Sequence, residues 1–189
     1  SIKDVLQKTE ANLEFLAENK NEITGLATGL YDFDKITTGL HAGELIIIAA
    51  RPAMGKTAFA LNIATNAAKI QDKAVAVFNL EMPAEQLATR IISSLGQIDG
   101  YKLRTGKLLN DDWKRVSEAI SQLSNTKMVI DDTPGITIGE IRAKCRRLAS
   151  SDEGLALVVI DYLQLIESSG KYQGARQQEI SDISVTASA

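Results

Sequence analysis

The chain has 189 residues, an apolar fraction of 44% and a net charge of −3, which suits one globular domain of ordinary size with a short additional segment. It shows neither an apolar run near the ~20 residues of a membrane span nor the pattern of a secretory leader. The single cysteine, Cys145, excludes an internal disulfide and fits a reduced, cytoplasmic protein. The slightly negative charge excludes a broadly basic nucleic-acid binder, so any basic surface must be local.

Residues 1–20 are predicted to contain an amphipathic linker helix. Apolar side chains recur there at helical spacing among charged ones, at Ile2, Val5, Leu6, Leu13, Leu16 and Ala17. Gly25, Gly29 and Gly39 then break the pattern, which predicts a flexible connection to the main domain. Periodicity alone leaves two options open, because such a helix can fold back on its own domain or dock on a neighbouring subunit.

Residues 21–183 alternate short apolar runs with helical stretches, which predicts an α/β fold with a mostly parallel sheet flanked by helices. The predicted strands are Leu45–Ala49, Ala74–Leu80, Met128–Asp131 and Leu155–Asp161. The predicted helices are Lys56–Ile70, Ala84–Leu95, Asp111–Leu123 and Ile138–Ala149. The last helix begins with a capping box formed by Thr137 and Glu140.

A phosphate-binding loop follows the first predicted strand. The pattern Ala-x-x-x-x-Gly-Lys-Thr ends at Thr57, with Ala50 in the place that Gly usually holds. Lys56 supplies positive charge for the β- and γ-phosphates, and Thr57 supplies a hydroxyl oxygen for Mg²⁺. The predicted nucleotide-binding residues are Ala50, Arg51, Pro52, Ala53, Met54, Gly55, Lys56, Thr57 and Ala58. A plain strand-to-helix turn with an exposed Lys would also give this pattern, but the strand–loop–helix context favours nucleotide binding.

Two carboxylates at predicted strand ends complete the proposed catalytic set with Lys56. Asp161 ends an apolar strand and is placed to anchor Mg²⁺, through a water molecule. Glu81 follows the strand after the loop helix, where a carboxylate can orient a water molecule and accept its proton. Glu81 can equally serve as a negative charge at the start of the helix that begins at Pro83, and spacing alone leaves these two roles even.

Positive charge clusters in two further places. Lys144, Arg146 and Arg147 share one predicted helix, for which a solvated face is the commoner explanation. Lys171 and Arg176 flank a polar stretch that is predicted to be a mobile loop on the same side of the sheet as Asp161. A polyanion held by this loop could therefore sense a bound nucleotide.

Six stretches, in order along the chain, match one known family. They are Thr24–Gly29, Ala50–Ala58, Leu80–Met82, Asp132–Ile136, Val159–Leu165 and Arg176–Ser181. The chain closely resembles the C-terminal motor domain of bacterial replicative DNA helicases of the DnaB type. Ala at position 50 is also what this family uses.

The resemblance implies a RecA-like P-loop ATPase core, with ATP and Mg²⁺ as cofactors, that works as a homo-hexameric ring around single-stranded DNA. Nucleotide would sit between subunits, with Lys56 and Thr57 on phosphate and Mg²⁺. Glu81 would be the catalytic carboxylate, and Asp161 would be the acid on the Mg²⁺ side. The loop region of Lys171 and Arg176 would face DNA. The linker helix would dock on the adjacent subunit, and primase and a helicase loader would be partners.

The sequence also departs from the family pattern at its end. That pattern continues beyond Ser181 into a long helix, a strand with a γ-phosphate sensor and an arginine that completes the neighbouring site. Residues 184–189 do not resemble the family helix and are predicted to be a tail or a truncation scar. Since arginine fingers contribute strongly to phosphoryl transfer, we expect this piece of the motor to bind nucleotide weakly and to turn it over poorly when isolated.

Two other functions fit parts of the pattern. A recombinase or repair ATPase would share the same core, although the Arg176–Ser181 stretch favours the helicase. A binding module would keep the phosphate loop and the linker helix as a docking surface for a loader or primase without turnover. Nucleotide binding without hydrolysis, together with partner capture, would distinguish this second option.

Overall fold

The structure, a computed structural model, describes residues 2–18, 23–51 and 53–161. These residues contain seven helices and three strands. In chain order they are α1 Ile2–Glu18, α2 Tyr31–Thr37, α3 Lys56–Ile70, β1 Ala74–Asn79, α4 Ala84–Gly96, α5 Gly100–Thr105, α6 Asn110–Ser124, β2 Met128–Asp131, α7 Ile138–Ala149 and β3 Leu155–Asp161. The chain divides into two compact units, residues 1–42 and 43–189. None of the described helices combines the length and the apolar composition that a membrane crossing requires.

The first unit contains the predicted amphipathic helix as α1, but the flexible connection predicted after it is wrong over residues 23–42. This stretch forms α2, and an antiparallel bridge joins Leu26 to Leu40. The buried Asp34 carboxylate accepts hydrogen bonds from the Thr28 N–H and hydroxyl groups. A Cβ at Gly25 would lie 2.6 Å from the Leu40 carbonyl oxygen. Gly25 is therefore needed for the close approach of the two backbone segments, and it does not mark a flexible connection.

The second unit is built on a parallel sheet with the order β2-β1-β3. All six residues of the central strand β1 are buried, as expected for a parallel sheet covered on both faces. Ala76 and Phe78 pack with Ile136 and with Ile141 of α7. Val75 and Val77 alternate with them and are equally buried, and α3 also contacts β1 and β3. The predicted parallel α/β architecture is therefore confirmed.

The cysteine prediction also fits this packing. Cys145 is a free, partly buried thiol packed against the cluster around Phe78. Its burial raises the pKa of the thiol above the ordinary value, because a thiolate is poorly solvated among apolar side chains. The thiol is therefore held in its neutral form as a packing group.

The predicted strand Leu45–Ala49 is wrong in this structure. Residues 44–50 form neither helix nor strand, and the Ile47 side chain is 65% exposed. An apolar run becomes a strand only where a neighbour supplies ladder hydrogen bonds. Within the described residues β3 pairs only with β1, and no described strand pairs with this segment.

Candidate functional site

The loop before α3 turns tightly through two residues with positive φ. Ala53 has a φ of 65° and Gly55, the residue that precedes α3, has a φ of 86°. Glycine tolerates this conformation freely, whereas an alanine is strained in it. The Met54 N–H donates to the Arg51 carbonyl oxygen at 3.2 Å. Gly55 has no side chain that could cap α3. The N-terminal amides of α3 therefore suit an anionic ligand.

The loop meets the end of β3 through three predicted site residues. The Thr57 hydroxyl donates to Asp161 Oδ2 at 2.6 Å, although the two residues are 104 positions apart. The Lys56 Nζ lies 2.9 Å from Asp161 Oδ1. The Asp161 residue is 5% exposed, and a buried carboxylate requires such partners to remain charged. The structure therefore brings Lys56, Thr57 and Asp161 into one cluster.

Asn79, the last residue of β1, extends this cluster toward Glu81. It is paired with Asp161 across the sheet, and its Nδ2 donates to Asp161 Oδ2 at 3.3 Å. Its Oδ1 accepts from the Glu81 N–H at 3.1 Å and from the Met82 N–H at 2.7 Å. One buried amide thus touches both the loop-facing carboxylate and the turn that carries Glu81.

The end of β2 supports the same turn from its other side. The Ala84 N–H, at the start of α4, donates to Asp132 Oδ2 at 2.8 Å. No hydrogen bond joins the Glu81 carboxylate to the described first turn of α4. The helix-capping role that the sequence left open for Glu81 is therefore filled by Asp132, and the exposed Glu81 side chain is available for another role.

Beside Asp132, Asp131 forms an ion pair with Lys144 of α7. Burial acts to raise the pKa of Asp131, but hydrogen bonds from Lys144 and from the Thr133 hydroxyl and N–H groups outweigh it and lower that pKa. Lys144 is therefore committed to a strand end. One of the three basic residues that the sequence groups on α7 thus has a structural role.

The oxygen donors at the loop suit Mg²⁺. Hydroxyl and carboxylate oxygens are the hard ligands that this ion prefers, and Thr57 and Asp161 present one of each within hydrogen-bond distance. No group of three His, Cys, Asp or Glu side chains in the described part of the chain could hold a metal ion by itself. A cation at this position would therefore share its coordination with phosphate and water oxygens, as Mg²⁺ commonly does in nucleotide sites.

Several predicted site residues lie outside the described residues. These are Pro52 in the loop and the candidate DNA contacts Lys171 and Arg176. Conversely, Asn79 and Asp132 were missed. Each lies at or directly after the end of an apolar strand, but its partner in the site depends on which strands are neighbours, and the sequence does not contain that order.

Known proteins resemble this chain over nearly its whole length. The sequence matches the family described as "DnaB-like helicase C terminal domain" over residues 25–188. It is 52% identical over 184 residues to the "Replicative DNA helicase DnaC" of Bacillus subtilis (strain 168), covering 97% of this chain and 40% of that protein. It is 50% identical to the "Replicative DNA helicase DnaB" of Geobacillus stearothermophilus, with the same coverage. The chain thus spans about 40% of the length of these relatives.

Solved structures show the same fold. One of them, described as an ATPase domain, superimposes with a TM-score of 0.90 at 33% identity, covering all of this chain and 66% of that one. Another, described as "The Structure Of A DnaB-Like Replicative Helicase And Its Interactions With Primase", gives a TM-score of 0.86 at 33% identity, covering all of this chain and 44% of that one. These matches confirm the predicted RecA-like ATPase fold.

Proposed function

The chain belongs to the family of DnaB-like helicase C-terminal domains, and we propose that it is the ATP-hydrolysing motor of a replicative DNA helicase. The observation that carries the proposal is the convergence of Lys56, Thr57 and Asp161. A loop lysine, a loop hydroxyl and a strand-end carboxylate from distant parts of the chain meet through contacts of 2.9 and 2.6 Å. Such a cluster supports nucleoside triphosphate binding with Mg²⁺.

We assign the binding step to the loop and the start of α3. Lys56 exchanges its contact with Asp161 for the β- and γ-phosphates of ATP. Thr57 would hold Mg²⁺ directly and Asp161 would hold it through a water molecule. The ion would supply positive charge to offset the charge that develops on the phosphates. The remaining residues of the loop, Ala50 to Ala58, bind phosphate mainly through backbone N–H groups.

We assign the hydrolytic step to Glu81. Its carboxylate orients a water molecule toward the γ-phosphate and accepts the proton as the water attacks. The exposed position of Glu81 supports this role, because the residue must reach a ligand outside the fold. Asp132 caps α4 in its place, so the Glu81 carboxylate is not needed for the helix.

The same proposal covers the partners of the motor. The whole protein forms a homo-hexameric ring around single-stranded DNA, with the linker helix α1 docked on the adjacent subunit and Lys171 and Arg176 facing DNA. A related structure is described as a DnaB-like replicative helicase with its interactions with primase, which supports primase as a partner. A helicase loader assembles the ring. The activity belongs in the cytoplasm, where bacterial DNA is replicated.

Unwinding of a forked DNA by the full-length polypeptide tests this function. We expect ATP-dependent strand separation that Glu81→Gln reduces roughly 100-fold or more, because general-base catalysis contributes about 10²–10⁴-fold. Nucleotide binding should survive in Glu81→Gln, since the phosphate contacts remain. Strand separation is followed by fluorescence and nucleotide binding by titration with a fluorescent ADP.

Glu85→Gln is the matched control, because Glu85 is an exposed glutamate in the first turn of α4. It should unwind DNA at the wild-type rate. Full unwinding by Glu81→Gln would contradict the assigned role of Glu81. Absence of ATP-dependent unwinding in the wild type would contradict the proposed function itself.

A further inference from the structure

The turn between β1 and α4 commits its backbone N–H groups to the strand ends. The Leu80 N–H donates to the Asp161 carbonyl oxygen at 2.9 Å. The N–H groups of residues 81 and 82 donate to Asn79 Oδ1, and the Ala84 N–H donates to Asp132 Oδ2. Residue 83 is a proline and has no N–H. All four available amides from 80 to 84 are therefore held by the ends of β1, β2 and β3.

Among these described contacts, Asn79 has the only side chain that binds both the turn and the Asp161 carboxylate. Its acceptor atom holds the turn, while its donor atom reaches Asp161 Oδ2, the same oxygen that receives the Thr57 hydroxyl group. The residue is 1% exposed. An amide buried to this extent keeps its hydrogen bonds, because leaving a polar group unpaired there is costly.

We propose that Asn79 is a positioning residue that couples ligand binding at Asp161 to the placement of Glu81. This inference rests on the proposed function and extends it to a residue with no role assigned so far. When Lys56 and Thr57 turn from Asp161 toward a nucleotide, the carboxylate keeps its contact with Asn79. A shift of the Asp161 carboxylate is then passed through the Asn79 amide to the N–H groups of Glu81 and Met82. These two groups flank the Cα atom that carries the Glu81 side chain.

The chemistry of the position favours an amide. Aspartate would keep the acceptor for the turn but would place a second carboxylate beside Asp161, where like charges repel each other. Alanine would remove both contacts. Serine carries its donor and its acceptor on one oxygen at the end of a shorter arm, so it cannot place them at the two separate positions that the amide atoms reach. Only asparagine has a donor and an acceptor that point apart at this length.

The test combines kinetics with hydrogen exchange in the full-length polypeptide. For Asn79→Ala we expect kcat for ATP hydrolysis to fall roughly 10- to 100-fold, as for a catalytic group displaced by about 1 Å. The affinity for fluorescent ADP should stay within about threefold, because the phosphate contacts are intact. Exchange of the amides at 81 and 82 should speed up and should no longer respond to Mg²⁺-ADP, whereas wild-type exchange slows on binding.

Asn79→Asp separates the two contacts of the amide. It should keep the slow exchange of the amides at 81 and 82 through its carboxylate oxygen, yet lose the response to Mg²⁺-ADP together with kcat. Asn79→Ser should recover part of the kcat lost in Asn79→Ala. Asn62→Ala is the control, because Asn62 is an exposed, hydrogen-bonded asparagine on α3. Melting curves of each variant show that the fold persists.

A wild-type kcat and a wild-type exchange response in Asn79→Ala would overturn the inference while the proposed function stands. Loss of ADP affinity in parallel with kcat would also overturn it, since Asn79 would then act on binding rather than on Glu81. Absence of ADP binding in the wild type would overturn the proposed function and this inference with it.

Discussion

Outside the candidate site, Asp112 is a buried carboxylate that forms ion pairs with two basic side chains. Its side chain is 2% exposed and lies 2.9 Å from Lys102 Nζ and 2.6 Å from Arg115 Nη2. Its Oδ2 also accepts from the Leu109 N–H at the start of α6. The hydrogen bond from Lys102 and then the one from Leu109 lower the pKa of Asp112 below its ordinary value, against the opposing effect of burial. The ionised carboxylate thus ties α5 to α6.

Acid unfolding of Asp112→Asn tests this arrangement. Because the folded-state pKa is lowered, the contribution of Asp112 to stability is full above its unfolded pKa of about 3.9 and is lost as the pH falls through the folded pKa. We expect Asp112→Asn to melt at a lower temperature than the wild type at pH 7. The difference should begin to shrink as the pH falls below about 4, because the carboxylate of the unfolded chain is protonated there, and it should vanish only below the lower pKa of the folded state.

Circular dichroism melts between pH 7 and pH 3 measure this difference. Asp111→Asn is the control, since Asp111 is an exposed acid in the same first turn of α6. A constant difference in Tm across the whole pH range would show that the charge of Asp112 is not the cause.

Single residues of the site differed in how far the sequence revealed them. Lys56 and Thr57 belong to a local pattern whose chemistry demands their side chains. Asp161 is predictable because it ends an apolar strand in a chain that also carries this loop. The sequence leaves the role of Glu81 open, because a carboxylate before a helix has two uses. Asn79 was missed because its role depends on the lateral register of β1 and β3, which the sequence of one strand does not contain.

At the scale of elements, α7 shows a local signal that is confirmed in full. The Thr137 hydroxyl accepts from the Glu140 N–H at 3.3 Å, and Glu140 Oε2 accepts from the Thr137 N–H at 2.8 Å. These bonds form the predicted capping box, and the bond from the Thr137 N–H is the largest of the effects that lower the pKa of Glu140. The box fixes the start of the helix that covers Phe78 and Ala76.

Removal of the cap should therefore destabilise the domain. We expect Thr137→Ala to lower the free energy of unfolding by about 1 kcal/mol, the usual effect of losing an N-cap side chain. Thr89→Ala is the control, because the exposed Thr89 hydroxyl bonds only back to Glu85 within α4 and alanine favours a helix interior. Urea unfolding measures both variants, and equal stability of Thr137→Ala and the wild type would contradict the capping role.

Elements were predictable where their own sequence carried enough signal. Strands β2 and β3 and helices α3 and α7 have the predicted bounds, because each is a long periodic run or a short apolar run with clear ends. Helices α2 and α5 were missed, since seven and six residues are too few for a periodic pattern. The strand predicted at Leu45–Ala49 was wrong because strand formation depends on a neighbour elsewhere in the chain.

At the scale of the whole molecule, the candidate site is assembled by the sheet rather than by any one segment. Parallel strands bring their carboxyl ends to one edge, and there β3 supplies Asp161, β1 supplies Asn79 and the first turn of α3 supplies Thr57. The family match over residues 25–188 agrees with this architecture. Order of the strands in the sheet, which places Asn79 between the other contributors, was the part that the sequence could not provide.

The measurement that tests the central claim most directly is ATP turnover by the full-length polypeptide, with and without single-stranded DNA. The account predicts turnover that DNA stimulates and that Lys56→Ala abolishes, because the phosphates lose their positive partner. Lys69→Ala, which changes an exposed lysine in the last turn of the same helix, should leave turnover unchanged. Turnover that persists in Lys56→Ala, or that ignores DNA in the wild type, would contradict the account of this chain as a helicase motor.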